Sequence, residues 1–124
     1  MSGTVPEAVT ERSWEMIQSP ETGLHALLAF NAENAIGMAT VSLTPFAWTG
    51  ADILFLQDLF VKPDARGLGA GRSLLTAVYA LADELKATQV FWMVDETDAR
   101  LQAFYARHAM RTPYLRFMRT KWPW

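Results

Sequence analysis

Three glycines fall within five positions, at Gly67, Gly69 and Gly71, and arginines flank them at Arg66 and Arg72. A strand-like apolar run precedes this stretch and a helix-like run follows it. Glycine frees backbone amides to point at an anion, and the start of a helix adds its positive end, so the junction is suited to binding a phosphate. A dinucleotide fingerprint needs glycine in place of Arg72, and a Walker loop needs lysine after its last glycine, so neither fits. The remaining pattern, R-x-x-G-x-G, predicts another kind of phosphate cradle; the alternative is a turn without a ligand.

The charge distribution independently favours a phosphorylated ligand. Residues 1–56 carry six acidic residues and one arginine, whereas residues 57–124 carry seven acidic and ten basic residues. From Arg100 onward there are six basic residues and no acidic one. Such a segment is either ordinary solvated surface or attracts a polyanion. Because the net charge of the whole chain is −2, and nucleic-acid binders are strongly basic, we expect a small phosphorylated ligand and no nucleic acid.

The composition limits the class of protein further. A chain of 124 residues with 51% hydrophobic residues fits one domain, residues 1–124, with its own core. The absence of cysteine excludes disulfides and thiolate nucleophiles, and His25 and His108 give no metal-ligand spacing, so we expect no metal. Neither a membrane-length apolar run nor a signal peptide is present. We therefore expect a soluble, cytoplasmic protein without a membrane partner.

Hydrophobic periodicity predicts the elements that position the glycine stretch. The pattern changes between helical and alternating periods, with turn-forming residues between the runs. Asp98 is expected to cap the last helix. The predicted elements are a helix at Pro6–Gln18, hairpin strands at Leu24–Phe30 and Ala35–Leu43, a strand at Ile53–Val61, a helix ending near Lys86, a strand at Val90–Val94, a helix at Ala99–His108 and a strand at Tyr114–Met118. This order predicts one α/β domain with a central sheet.

The stretch Leu56–Leu75, LQDLFVKPDARGLGAGRSLL, resembles the core motif of the GNAT superfamily of acetyl-CoA-dependent N-acetyltransferases. Ala103-Phe104-Tyr105 resembles the second signature of that family. Residues 57–61 are most similar to the branch that acetylates small diamines and amino acids. The resemblance extends from about residue 7 to residue 119. It implies the GNAT (acyl-CoA N-acyltransferase) fold, a mixed central sheet flanked by helices, here shortened at the N-terminus.

The resemblance implies acetyl-CoA as cosubstrate and suggests which residues bind it. In the family, the strand before the loop is bulged, and its backbone, here at Leu59, Phe60 and Val61, would contact the pantetheine arm and the thioester carbonyl, while these side chains belong to the core. Asp98 stands where the family commonly has an asparagine that binds the pantetheine, but a carboxylate cannot donate that hydrogen bond. The residues of the pyrophosphate cradle would be Arg66, Gly67, Leu68, Gly69, Ala70, Gly71 and Arg72.

Tyr105 corresponds to the general acid of the family, which protonates the departing thiolate; a phenol, with a pKa of about 10, retains its proton until that charge develops. The alternative is a tyrosine packed in the helix core. The amine must lose a proton, and diamine-acetylating relatives have a glutamate at the position of Gln57. An amide cannot act as a base, so we expect Gln57 to bind the substrate only. We expect water to relay the proton to Asp95 or Glu96, with Asp58 as the other candidate. Surface solvation alone would also explain these three acids.

GNAT domains normally begin with a strand and a helix that would precede this sequence. Without them, the first hairpin strand has an unpaired edge and one apolar sheet face is uncovered. Tryptophans at positions 14, 48, 122 and 124 belong either to the core or to a surface for a partner. We therefore expect a homodimer that pairs through the edge at residues 24–30, or covers the face with the helix around Trp14.

These inferences predict an acyltransferase, an N-acetyltransferase that moves an acetyl group from acetyl-CoA to a small-molecule primary amine by direct attack. The alternative is a shortened, catalytically impaired GNAT domain that binds coenzyme A or a protein partner. Gln57, Asp98 and the missing N-terminal elements favour the alternative. The intact loop at Arg66–Arg72 and Tyr105 favour the enzyme.

Overall fold

The computed structural model describes residues 7–121. Pro6, where the first helix was predicted to begin, and the tail tryptophans Trp122 and Trp124 lie outside the described residues. The chain divides into two compact units, one comprising Glu7–Trp92 and the other containing the described residues from Met93 onward. A single domain over residues 1–124 therefore stays a prediction. In the described part of the chain, no helix is long and apolar enough to cross a membrane.

Except for the last predicted strand, the helices and strands follow the predicted order with shifted bounds. Turn residues separate them, and two single 3-10 turns occur at Pro20–Thr22 and Pro63–Ala65. The elements are α1 (Glu7–Gln18), β1 (Leu24–Asn31), β2 (Asn34–Phe46), β3 (Ala51–Val61), α2 (Ala70–Glu84), β4 (Val90–Phe91) and α3 (Ala99–Ala106). The first six elements lie in the unit Glu7–Trp92, and α3 lies in the other one.

The sheet of the larger unit is mixed, as predicted. Its order is β1-β2-β3-β4, in which β1, β2 and β3 pair antiparallel and β4 pairs parallel to β3. A parallel pair needs a crossover connection, and α2 provides it between β3 and β4. Because α2 begins directly after the loop that follows β3, this topology places the glycine loop at the C-terminal end of a central strand.

Helix α2 packs against β2 and β3 and closes the core of this unit. Its buried residues, Ala70, Leu74, Leu75, Val78 and Ala82, recur at helical spacing and form one apolar face. Burial of each leucine stabilises the fold by about 2 kcal/mol. The helix ends at Glu84, Leu85 is its C-cap residue, and Lys86 follows in a left-handed conformation with φ of 59°. The buried apolar residues are Ala39, Val41, Ile53, Leu54, Leu56, Ala65, Ala70, Leu74, Leu75, Val78 and Ala82.

Two strand predictions differ from the structure. Tyr114–Met118 has strand-forming residues but no strand ladder within residues 7–121, so the predicted last strand is wrong. The predicted strand Val90–Val94 is only two residues long, pairing at Leu54↔Val90 and Phe55↔Phe91. That ladder stops just before an irregularity in β3, and such irregularities bend a strand away from its neighbour.

At Gly37 of β2, both β3 and α2 lie close to the backbone. A Cβ atom built there would lie 2.9 Å from the carbonyl oxygen of Phe60 and 3.1 Å from Cδ1 of Leu74. Both separations are shorter than ordinary van der Waals contact. Gly37 therefore lets α2 lie close to the sheet at the level where β3 ends.

We expect Gly37→Ala to lower the free energy of unfolding by about 1–3 kcal/mol, because overpacking of a well-packed site costs about that much. Urea-induced unfolding followed by circular dichroism measures the change. Ala35→Val, at an exposed position of the same strand, is the matched control and should change the free energy by less than about 0.5 kcal/mol. Equal stability of Gly37→Ala and the unmodified chain would contradict the assignment of close packing to this position.

Candidate functional site

A bulge interrupts β3 at Gln57. Thr40 pairs with Asp58 and the next residue, Val41, pairs with Leu56, so Gln57 has no partner across the ladder. The strand that precedes the glycine loop is thus bulged, as the family resemblance implied. A regular strand would send Gln57 and Asp58 to opposite faces, but here both side chains are exposed. An amide and a carboxylate are therefore both exposed at the bulge.

The Gln57 side chain is held by a neighbouring strand. Its Nε2 donates a hydrogen bond to Oγ of Ser42 on β2 at 3.0 Å. The amide oxygen Oε1 retains its acceptor capacity and can bind an N–H group of a ligand. Ser42 was not predicted as a site residue, because it lies fifteen positions away in sequence and only the strand register brings it to Gln57.

The backbone of β3 after the bulge is paired on one side only. Leu59, Phe60 and Val61 pair with β2, while the β3–β4 ladder within residues 7–121 involves β3 only at Leu54 and Phe55. This leaves the other edge of residues 57–61 outside any strand ladder of the described chain.

The side chains of Leu59, Phe60 and Val61 differ in burial. The expectation that all three side chains are core is wrong for Phe60, which is 47% exposed, whereas Leu59 and Val61 are half-buried.

The glycine loop uses its glycines for backbone conformation. Gly67 and Gly69 have φ angles of 88° and 81°, in the left-handed region that side-chain-bearing residues rarely adopt. A Cβ built on either glycine would meet nothing within 4 Å. The glycines are therefore required for the turn itself and not for close contact with another part of the chain.

The first turn of α2 presents backbone donors that the helix itself does not use. Gly69 is the N-cap residue and has no side chain to cap the helix. The amide of Ser73 makes the first intrahelical bond, to the carbonyl of Gly69 at 3.0 Å, so the amides of Ala70, Gly71 and Arg72 have no acceptor within the helix. Together with the positive end of the helix dipole and the exposed guanidinium of Arg72, these amides suit an anion.

A groove of about 500 Å³ runs from this helix start along the exposed face of α2. Its walls consist mainly of small side chains, which leave room for an elongated ligand. The lining residues are Leu68, Gly69, Arg72, Ser73, Thr76, Ala77 and Ala80. A second cavity, of about 380 Å³, lies on the other side of Leu68, between the β1–β2 turn and the 3-10 turn after β3.

In the other unit, Asp98 and Tyr105 lie at opposite ends of α3. Oδ1 of Asp98 accepts a hydrogen bond from the amide of Leu101 at 3.0 Å, so the predicted helix cap is confirmed. Tyr105 is half-buried, and its ring packs edge-on to that of Phe104 with the centroids 5.3 Å apart. Asp98 thus uses one carboxylate oxygen for the helix.

Asp95 is held in a tight turn ahead of α3. Its Oδ1 accepts hydrogen bonds from the amide of Thr97 at 2.8 Å and from the hydroxyl of Thr97 at 2.6 Å. The hydroxyl contact and then the amide contact lower the pKa of Asp95. The side chain of Gln102 also donates to the carbonyl oxygens of Asp95 and Glu96, at 3.1 and 2.8 Å. A carboxylate with a lowered pKa is a weaker base, so the structure disfavours Asp95 in that role.

The two histidines occupy structural positions. His25 is half-buried in β1, and the ring of His108 lies 5.0 Å from that of Phe104 just after α3. Residues 7–121 hold no group of three or more histidine, aspartate or glutamate side chains arranged to bind a metal ion.

The fold occurs in solved structures of other proteins. An integron cassette protein from the mobile metagenome of V. cholerae superposes with a TM-score of 0.81 at 20% identity, covering 98% of this chain and 76% of that one. An aminoglycoside acetyltransferase from an uncultured soil metagenomic sample superposes with a TM-score of 0.80 at 18% identity, covering 96% and 77%. These likenesses define the class of the fold, an open mixed sheet with flanking helices.

A model of the acetyltransferase (GNAT) family matches residues 3–110. The chain belongs to this family and is an acyltransferase. D-amino-acid N-acetyltransferase HPA3 of Saccharomyces cerevisiae is 32% identical over 117 residues, which span 93% of this chain and 73% of the yeast protein. The resemblance inferred from the glycine loop is therefore confirmed at the level of the family.

Thr97→Val removes one of the two donors to Asp95, so we expect the pKa of Asp95 to rise toward its ordinary value. Because the pKa is lower in the folded chain, the contact stabilises the fold above the ordinary aspartate pKa. This stabilisation is lost as the pH falls through the folded-state pKa. Carboxyl carbon chemical shifts measured through an NMR titration report the pKa directly. Thr97→Ser keeps both donors and should keep the lowered pKa of Asp95. If the pKa of Asp95 in Thr97→Val stays as low as in the unmodified chain, the hydroxyl is not the cause of the shift.

Proposed function

We propose that this chain transfers an acetyl group from acetyl-CoA to the primary amine of a small molecule. The observation that carries the proposal is the bulged strand β3 leading directly into an R-x-x-G-x-G loop at the start of α2, in a member of the GNAT family. Both features supply backbone donors that no part of the described helix or ladder uses. The cytoplasmic location stays a prediction.

The glycine loop is proposed to bind the pyrophosphate of coenzyme A. The amides of Ala70, Gly71 and Arg72 lack intrahelical acceptors, and the loop carries an exposed arginine at each end, Arg66 and Arg72. Hydrogen bonds to a charged acceptor are about twice as strong as neutral ones, so a diphosphate suits this helix start. Gly67, Leu68 and Gly69 complete the cradle through the loop backbone.

The free edge of β3 is proposed to bind the pantetheine arm and the thioester. Leu59, Phe60 and Val61 would contribute main-chain groups, which a side-chain substitution does not remove. A backbone N–H aimed at the thioester oxygen would stabilise the negative charge that develops there during attack. Asp98 is proposed to act on the cofactor only indirectly, by capping α3.

The proposed reaction is a direct displacement. The amine nitrogen forms a bond to the thioester carbon, the carbon–sulfur bond breaks, and the electron pair of that bond goes to sulfur. Tyr105 is proposed to donate its phenolic proton to the leaving thiolate. The chain has no cysteine, so a cysteine acyl-enzyme plays no part.

The amine must lose a proton, and Gln57 cannot accept one. Since hydrogen bonds lower the pKa of Asp95, we propose that water removes the proton and passes it to Glu96 or to the exposed Asp58 beside the bulge. Gln57 is instead proposed to bind the acceptor. Its Nε2 is engaged with Ser42, which leaves Oε1 for an N–H group of the amine.

The acceptor class is proposed from charge and from the yeast relative. The acidic first half of the chain suits a cationic amine, and the name of the yeast relative specifies D-amino acids as its substrates. Amino acids and small diamines are therefore the first acceptors to test.

Incubation with acetyl-CoA and a panel of D-amino acids, L-amino acids, diamines and aminoglycosides should release free thiol with at least one acceptor class. A thiol-reactive dye and mass spectrometry of the acetylated amine measure the two products. Gly71→Val places a branched side chain among the proposed phosphate-binding amides and should abolish release. Glu84→Val, at the other end of the same helix, is the matched control and should retain it. Coenzyme A binding by calorimetry without release from any amine would instead favour the non-catalytic alternative.

Tyr105→Phe should lower kcat about 10²–10⁴-fold, the range typical of a general acid, with little change in the KM for acetyl-CoA. The reason is that the phenol acts on the leaving thiolate only in the transition state. Initial rates at varied acetyl-CoA measure both constants. Tyr114→Phe is the matched control in the same unit. If chemistry is rate-limiting and kcat is unchanged in Tyr105→Phe, Tyr105 has no part in the reaction.

A further inference from the structure

The cavity between the β1–β2 turn and the 3-10 turn after β3 is distinct from the groove along α2. Its volume is about 380 Å³, within the range of about 300–1,000 Å³ that is typical of small-molecule sites. The linings of the cavity and the groove share Leu68, whereas Gln57, in the β3 bulge, lies outside the cavity lining. The proposed acetyl transfer assigns no role to this cavity.

Four of the side chains that line the cavity are polar, namely Asn31, Asn34, Lys62 and Asp64. In the described part of the chain, none of these four makes a side-chain hydrogen bond or an ion pair. Lys62 and Asp64 carry opposite charges but do not pair with each other. Each asparagine offers a carbonyl oxygen as acceptor and an NH2 group as donor. All four side chains are therefore available to a ligand.

Backbone hydrogen bonds fix the two walls of the cavity. Asn31 and Asn34 form the last pair of the β1–β2 ladder, at a two-residue turn. On the other wall, the amide of Lys62 donates to the carbonyl oxygen of Ile36 at 2.8 Å, and the amide of Ala65 donates to that of Lys62 at 3.0 Å. A ligand would meet a backbone that is already ordered, which lowers the entropic cost of binding.

We propose that this cavity binds a free α-amino acid with an apolar side chain, in its zwitterionic form. Lys62 pairs with the carboxylate of the ligand and Asp64 with its ammonium group. The apolar part of the lining, Ile36, Ala65 and Leu68, contacts the side chain of the ligand. This site is separate from the proposed acceptor site at Gln57.

The two opposite charges favour a zwitterion over a simple anion. A phosphate would pair with Lys62 but would also meet the carboxylate of Asp64, and like charges in one site repel each other. A diamine would have the converse problem with Lys62. An amino acid uses both charges, and hydrogen bonds between charged groups are the strong ones. The asparagine amides can donate to its carboxylate and accept from its ammonium group.

An NMR titration of the unmodified chain, without coenzyme A, tests the site. At least one enantiomer of leucine should shift, in a saturable way, the side-chain amide signals of Asn31 and Asn34 and the methyl signals of Ile36 and Leu68. N-acetyl-leucine lacks the ammonium group and leucinamide lacks the carboxylate. Each should bind at least about tenfold more weakly, since losing one charged hydrogen bond costs that much. Inorganic phosphate should not displace leucine.

Substitutions in the cavity provide a second measurement. Lys62→Met and Asp64→Asn should each raise the dissociation constant of leucine by at least about tenfold. Lys86→Met and Asp83→Asn, at exposed positions near the C-terminal end of α2, are the matched controls and should leave it unchanged. Gln57→Ala should also leave it unchanged, which separates this site from the proposed acceptor site. Circular dichroism should show that all variants are folded.

Four results would each overturn the proposal. They are the absence of shifts at the cavity signals, shifts centred on Gln57 instead, equal binding by a ligand that lacks one of the two charges or displacement by phosphate, and unchanged binding in Lys62→Met or Asp64→Asn. Because none of these measurements requires catalysis, a failure of the proposed acetyl transfer leaves the test of this cavity intact.

Discussion

The close contact between α2 and the sheet at Gly37 positions the start of α2 relative to the end of β3. Because residue 37 has no side chain, Leu74 of α2 and the carbonyl of Phe60 on β3 can both lie close to β2 at this position. This contact sets the height of α2 above the end of β3. Since the glycine loop joins β3 to α2, the same contact fixes where the amides at the helix start lie relative to the free edge of the strand. Two proposed binding surfaces are therefore positioned by one close approach in the core.

The features that depend on local sequence could be predicted. The stripe of Leu74, Leu75 and Val78 at helical spacing identifies α2, and the glycines before it identify a strand-to-helix junction. Asp98 was predicted to cap α3, and its carboxylate does so. These features depend on residues within one or two helical turns of each other, so the local sequence is enough to predict them.

The features that depend on strand register could not be predicted from residue types alone. The family resemblance implied a bulge, but only the pairing of Thr40 and Val41 with β3 places it at Gln57. The hydrogen bond from Gln57 to Ser42 follows from that register. The strand expected at Tyr114–Met118 failed for a related reason: a strand requires a partner edge, and composition does not say whether the same chain supplies one.

The left-handed conformations of Gly67 and Gly69 also bear on how this chain could evolve. Any other residue except asparagine or aspartate would strain the backbone there by about 1–2 kcal/mol, even though the space around both positions is open. A loss of that size is a large fraction of the stability of a small domain. Selection for folding alone would therefore keep both glycines. A descendant that had lost the proposed acetyl transfer, and had changed at Tyr105 or Gln57, would still keep both glycines because its backbone requires them.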